Sequence, residues 1–212
     1  MKKTRAAAKL RPYHHGDLRH ALIDAALALV TEEQDWTFSL REVARRAKVS
    51  HNAPYNHFPE KQDLLIAVAA VGFEKLQQRM AASVAGMDAA ERALIACGKA
   101  YIECGLENPA LYRLMFGPAL AKSGDGRPAE ARRAGDGAKA VLEGVILRGA
   151  RSGAFAISPD DPVDQAKVVF FAWSVVHGLT TLLLDDFSET DLKVDDLAKQ
   201  IEHVVLKGLL PR

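Results

Sequence analysis

Apolar side chains recur along this chain at steps of three and four, and nowhere do they alternate with polar ones long enough to make a strand. That period admits helices and little else. Leu18, Leu22, Ala25, Ala26, Leu29 and Val30 form one stripe over 17–30. Leu64, Leu65, Val68, Ala69, Val71, Gly72, Leu76 and Met80 form a longer one over 62–83. Two shorter pieces lie between. Ser39, with Glu42 three residues on, predicts a capping box that opens a helix over 40–47, backed by Leu40, Val43, Ala44 and Ala47. Ser50 is expected to cap a third, very short helix ending near Phe58. Pro54 fits there only in the first turn, where a missing N–H leaves nothing unpaired, and Pro59 closes the element. Further helices are expected over 88–107, 109–116, 129–152, 162–185 and 191–209, with breaks at 121–127 and 152–162. The fold class is therefore all-α.

A chain of 212 residues that is 49% hydrophobic can bury a sizeable core without covalent staples. Its two cysteines, Cys97 and Cys104, are seven residues apart on an expected helix, or about 10 Å along the axis, too far for an undistorted bridge. Reduced thiols and a cytoplasmic setting follow. The basic N-terminus lacks the apolar stretch of a signal peptide, and no run approaches 18 uninterrupted apolar residues, so a soluble protein is expected. The net charge of +1 hides a division: residues 1–61 carry +4, the remainder about −3. Five of the seven histidines, His14, His15, His20, His51 and His57, also fall in the basic segment. A basic head on a mildly acidic body suits a phosphate backbone as partner for the head alone.

The two short helices and the tight turn at 48–50 have helix-turn-helix lengths, an arrangement that presents the start of its second helix to the major groove. His51, Asn52, Ala53 and Asn56 stand at that start. Asn can read adenine with two hydrogen bonds, His can donate to a guanine acceptor, and Ala53 can pack on a thymine methyl. Tyr55, His57 and Lys61 follow where phosphate contacts would set the register, with Ser50, Thr37 and Ser39 as further donors. Ordinary bundle corners share this geometry, so spacing alone leaves both readings open.

The residues taken together go further. Ser39-Leu40-Arg41-Glu42-Val43-Ala44-Arg45-Arg46-Ala47-Lys48-Val49-Ser50, then Ala53-Pro54-Tyr55-Asn56-His57-Phe58-Pro59-Glu60-Lys61 and Leu64-Leu65, resemble the DNA-binding head of the tetracycline-repressor-like (TetR) family. Tyr13-His14-His15-Gly16-Asp17-Leu18-Arg19 resembles one branch of it. Far along the chain, Trp173-Ser174-Val175-Val176-His177-Gly178 is similar to the WHG-type ligand-binding domain that accompanies such heads, and Asn108 to Phe116 fits it too. The resemblance implies a flexible arm at 1–12, a three-helix DNA-binding domain at 13–61, and a larger helical ligand-binding and dimerisation domain at 62–212. It also implies a homodimer on a double-stranded DNA operator, a small-molecule effector, and no membrane. Two positions depart from the pattern: Lys48 stands where Gly is usual, and Asn56 where Arg is common.

An effector cavity is expected among Phe73, Leu76, Met80, Tyr101, Tyr112, Met115, Phe116, Phe170, Trp173 and His177, which mix apolar surface with a few polar ends. No Arg stands among them, so a mostly hydrophobic effector is expected. Trp173 and His177, at i and i+4, share one helix face, either as core or as pocket wall. Phe170, Phe171, Val175, Leu179, Leu182 and Leu183, with Leu197, Ile201, Val204, Val205 and Leu209, offer more apolar surface than one chain covers, and a second copy is expected on it. No metal and no cofactor are expected, since His14, His15 and His20 lack Cys or carboxylate partners at ligand spacing. The chain is not expected to be an enzyme, having no nucleophile with a base, carboxylate pair or phosphate-cradling Gly loop. A helical protein-interaction adaptor or, less favoured, a helical-bundle enzyme is the alternative.

Overall fold

The computed structural model describes residues 15–120, 128–185 and 193–201, and among them every regular element is helical. The head consists of α1 (His15–Glu33), α2 (Leu40–Arg46) and a short 3-10 segment, Ala53–Asn56. The capping box forms as expected. Ser39 N–H and Oγ both meet the Glu42 carboxylate, at 2.6 and 2.9 Å, while Glu42 N–H donates back to Ser39 Oγ. Helix α2 ends in a left-handed turn in which Lys48 has φ 57°, with Val49 N–H bonded to Ala44 O and Lys48 N–H to Arg45 O. Lys48, standing where the family that the sequence resembles usually has Gly, thus carries a Cβ in the left-handed region, at a cost of about 1 kcal/mol.

The third element corrects one expectation. Residues 51–58 do not form an α-helix capped by Ser50, because the segment closes through three-residue bonds, Ala53 N–H to Ser50 O and Tyr55 N–H to Asn52 O, and the residue preceding the 3-10 turn is Asn52. In a helix capped by Ser50, Pro54 would be the fourth residue, whose N–H should bond Ser50 O, and proline has none; in the observed turn it stands within the first residues, where none is needed. Pro54 and Phe58 are buried and anchor the segment to the head's core.

Helix α3 (Lys61–Val84) is the spine. Its residues Leu64 to Ala70 are buried in unbroken succession, beyond the single stripe that the pattern picked out, because the head covers its first turns and the body wraps the rest. The body adds α4 (Ala90–Glu107), α5 (Pro109–Phe116), α6 (Ala129–Ser152), α7 (Pro162–Leu184) and α8, described over Val194–Ile201. Buried apolar side chains form one continuous cluster from Leu22 in the head to Val176 in α7. Among the described residues two polar ties join α1 to the body, Asn108 Nδ2 donating to Thr31 Oγ1 at 2.7 Å and Arg19 pairing with Glu130 at 3.3 Å, while Gln62 Nε2, in the first turn of α3, donates to Ala119 O at 2.6 Å.

Helix α7 is apolar around most of its circumference; Val169, Ala172, Val176 and Thr180 are buried in the core, and Val168, Trp173, Val175 and Leu179 pack partly against it. Phe170 is 75% exposed, Phe171 54% and Leu182 53%. By length and composition α7 could cross a membrane. It packs against α4 and α6 as a wall of the bundle, with Phe170, Phe171 and Leu182 on a side that no described residue covers. The expected arm at 1–12, the break at 121–127, and Val204, Val205 and Leu209 lie outside the described residues.

Candidate functional site

The head presents a polar row. His51, Asn52, Tyr55 and Asn56 are exposed, and Ser50 and Ala53 flank them, while the opposite side of the segment is sealed by Pro54 and Phe58. His57 is half-buried beside Phe58. The Lys61 ammonium lies 5.2 Å from the centre of the Phe38 ring, and partial burial holds its pKa below the usual lysine range despite the carboxylates of Asp35 and Glu42. Thr37 and Ser39 differ from the row in one respect: their hydroxyls already engage Asp35, at 3.1 Å, and Glu42. Each hydroxyl has one proton to donate, so a phosphate contact there requires giving up an existing bond.

In the body, the structure gathers Phe73, Tyr101, Tyr112, Phe116, Trp173 and His177 into one aromatic cluster. Phe116 is its centre, with Phe73, Tyr112 and His177 rings at 5.1, 4.8 and 4.8 Å, and Trp173 meets Tyr101 edge-on at 5.7 Å. His177 Nδ1 lies 2.9 Å from the Tyr101 hydroxyl and 2.7 Å from that of Tyr112. Burial pushes both phenol pKa values up, so both remain protonated hydrogen-bonding groups across the physiological range. Helices α4 and α7 come close enough for this because Gly105 faces Thr180 and the Tyr112 ring, where a Cβ would overlap both.

The ten expected pocket residues do not surround a single cavity. The space bordered by Met80, Tyr101 and Trp173 inside the bundle is about 30 Å³, room for one water molecule. Leu76, Tyr112 and Met115 border a groove of about 600 Å³ beside α1, and Phe73, Phe116, Phe170 and Trp173 a recess of about 240 Å³ between α6 and α7. Phe170 stands at the outer lip of that recess, mostly in solvent. A cleft of about 680 Å³ opens between head and body, walled by Tyr112, Phe116 and His177 on one side and by Trp36 on the other. Arg113, Thr181 and Asp185 complete its rim, and Arg113 donates to Asp185 at 3.0 Å. Sequence reasoning missed Trp36 and Arg113. A lone tryptophan in the polar stretch Glu33-Gln34-Asp35-Trp36-Thr37 was the available signal for the first.

Burial pushes the Cys97 thiol up to about 12 and raises that of Cys104 as well, which leaves both poor nucleophiles. Among the described residues no group of three or more His, Cys, Asp or Glu side chains is placed to hold a metal ion, and His14 lies outside them.

Two sequence families match the chain. "Tetracyclin repressor-like, C-terminal domain" matches residues 94–205, more than half of the chain, and "Bacterial regulatory proteins, tetR family" matches residues 22–68. No protein of curated function matches the sequence. Among solved structures, a protein of unknown function from Rhodococcus sp. RHA1 is 28% identical, with 95% of this chain and 100% of that one covered at a TM-score of 0.78. A regulatory protein of the tetR family, also from Rhodococcus RHA1, is 19% identical over 92% and 98% of the two chains, with a TM-score of 0.64. The transcriptional regulator FadR from Bacillus subtilis, solved with stearoyl-CoA, is 17% identical over 89% and 98%, with a TM-score of 0.68. At those last two identities the likeness is one of fold.

Proposed function

Because the chain belongs to the TetR family of bacterial regulatory proteins, and is a DNA-binding regulator rather than an enzyme, we propose that it is a cytoplasmic repressor released from its operator by a small, mostly hydrophobic effector. The observation that carries this reading is the exposed row of His51, Asn52 and Asn56 on a segment whose other side is buried. A scaffold sealed on one side holds those side chains at a fixed height for base edges, with Asn52 and Asn56 suited to adenine and His51 to guanine. Tyr55, His57 and Lys61 then take phosphates, joined by Ser50, Thr37 and Ser39 once the last two release their carboxylate partners.

The bare side of α7 supports a homodimer. Phe171 and Leu182 stand exposed along it with the half-buried Val175 and Gly178 between them, and a Cβ at Gly178 would meet nothing among the described residues, so this glycine leaves a shallow seam for a second helix. FadR shares the architecture and holds stearoyl-CoA, which supports an apolar effector here. The aromatic cluster of Tyr112, Phe116, Trp173 and His177 is the part of the body suited to receive it, with Phe73, Leu76, Met80, Tyr101, Met115 and Phe170 around it.

Selection of bound duplexes from a random DNA pool tests both parts. Recovered sites should be inverted repeats with half-site centres about 34–36 Å apart, and retention should fall steeply with salt. A pool that emerges unenriched overturns the reading.

A further inference from the structure

The space bordered by Met80, Tyr101 and Trp173 measures about 30 Å³, whereas the cleft between head and body holds about 680 Å³ and reaches the same aromatic cluster from outside. Ligand-sized sites start at roughly 300 Å³. Three aromatic faces, Trp36, Tyr112 and Phe116, border the cleft together with His177, and its charges are already matched, since Arg113 is paired with Asp185. We infer that this cleft is the effector's seat, that it takes an uncharged aromatic molecule of two or three rings, and that Trp36 is the head's own contact with that molecule.

This inference rests on the ligand-responsive reading above and gives it a route. Trp36 belongs to the loop between α1 and α2, directly before Thr37 and three residues before the cap Ser39. Phe38, buried beneath the Lys61 ammonium, pins the far side of that loop, so a molecule lodged against Trp36 bears on the segment that starts α2. The cleft's wall is also tied to the first turn of α3, which follows the head's 3-10 segment, where the Ala119 carbonyl accepts from Gln62. A ligand there touches the DNA-binding head itself and needs no relay through the length of α3. A net anion would have to compete with Asp185 for Arg113, and a net cation would face Arg113 across a shared rim, which leaves a neutral ligand as the best match.

The probe is N-phenyl-1-naphthylamine, an uncharged aromatic dye whose emission rises in apolar surroundings, titrated into the full chain. The chain has two tryptophans, Trp36 and Trp173. Labelling with 5-fluorotryptophan therefore yields two fluorine resonances, assigned with Trp36→Phe and Trp173→Phe. Saturable binding at a single site should move the Trp36 resonance most. Trp36→Ala should weaken it by about tenfold or more, and so should Thr181→Phe, which narrows the cleft from the opposite wall. Circular dichroism checks that each variant is folded, and the two variants sit on different elements, so loss of one fold leaves the other as a test. Saturable binding that moves the Trp173 resonance alone and survives both substitutions overturns the inference, as does the absence of saturable binding to the wild type. Failure to enrich any DNA, by contrast, sinks the regulator reading and leaves these titrations standing.

Discussion

The head and the body use polar side chains in opposite ways. In the head, His51, Asn52, Tyr55 and Asn56 face solvent on a segment closed by hydrogen bonds between residues three or four apart. In the body, Tyr101, Tyr112 and His177 bond to one another across separations of 11, 65 and 76 residues, within a cluster of aromatic rings. Exposed donors such as these stay hydrated until a partner arrives, the operator DNA on the reading proposed above, and so contribute little to stability. A buried polar knot has no water to fall back on and must satisfy itself, which ties it to packing. Function and stability are therefore separable in the head and entangled in the body.

Substitutions can break that contrast. The largest effect is expected from Phe73→Ala, which empties a fully buried site against Phe116 and should cost about 3–5 kcal/mol in denaturant unfolding. DNA affinity per folded molecule should hardly change. Equal losses in both would show that head and body are one functional unit.

Next comes Asn52→Ala, expected to cost about 1–3 kcal/mol on the selected site and to relax its sequence preference, with the unfolding midpoint unmoved. Lys61→Ala should weaken all sequences alike and lower the salt slope by about one. Parallel losses on selected and random DNA for Asn52→Ala would place its side chain on the backbone instead.

The capping box sharpens the comparison within the head itself. Ser39→Ala should cost about 1 kcal/mol of stability, since an orphan N–H of α2 loses its acceptor. The hydrogen bonds from Ser39 hold the Glu42 carboxyl below the usual carboxylate range, so its contribution is present above about pH 4.3 and disappears as pH falls through its lowered folded value. Thermal unfolding of Glu42→Gln should accordingly lie below the wild type at neutral pH and converge with it in acid. A gap that persists in acid would mean that the box works through packing alone.

The smallest effect, and the only gain, is expected for Lys48→Gly. Relief of the left-handed Cβ is worth about 1 kcal/mol, partly offset by the freer unfolded chain, so chemical denaturation should show a stabilisation below about 1 kcal/mol. A destabilised variant would show that the Lys48 side chain packs usefully where it stands.

Local chemistry made much of this legible in advance. The Ser39–Glu42 cap and the helices α5 and α6, found at Pro109–Phe116 and Ala129–Ser152, follow from interactions between residues close in sequence. Residues 51–58 depart from the helical expectation for an equally local reason: a helix capped by Ser50 needs an N–H at position 54, proline has none, and the short segment stays in the 3-10 form. The aromatic cluster was half legible. Its members could be named from their types, but naming them as one cavity assumed that rings gathered together leave room between them, and edge-on packing at 4.8 to 6.5 Å fills that room.

What the sequence determined by itself is the all-helical class, the basic head with its polar row and the family to which both halves conform, because each depends on period, charge and residue type along a short stretch. Where a ligand-sized space lies was decided by the tertiary structure. Trp36 meets His177 and Asp185 across a cleft because Asn108, Arg19, the tie from Gln62 at the base of α3 and the apolar packing of α1 on the body together set how the elements stand. That arrangement draws on contacts between residues 57 to 111 positions apart, and no window of sequence contains both sides of it.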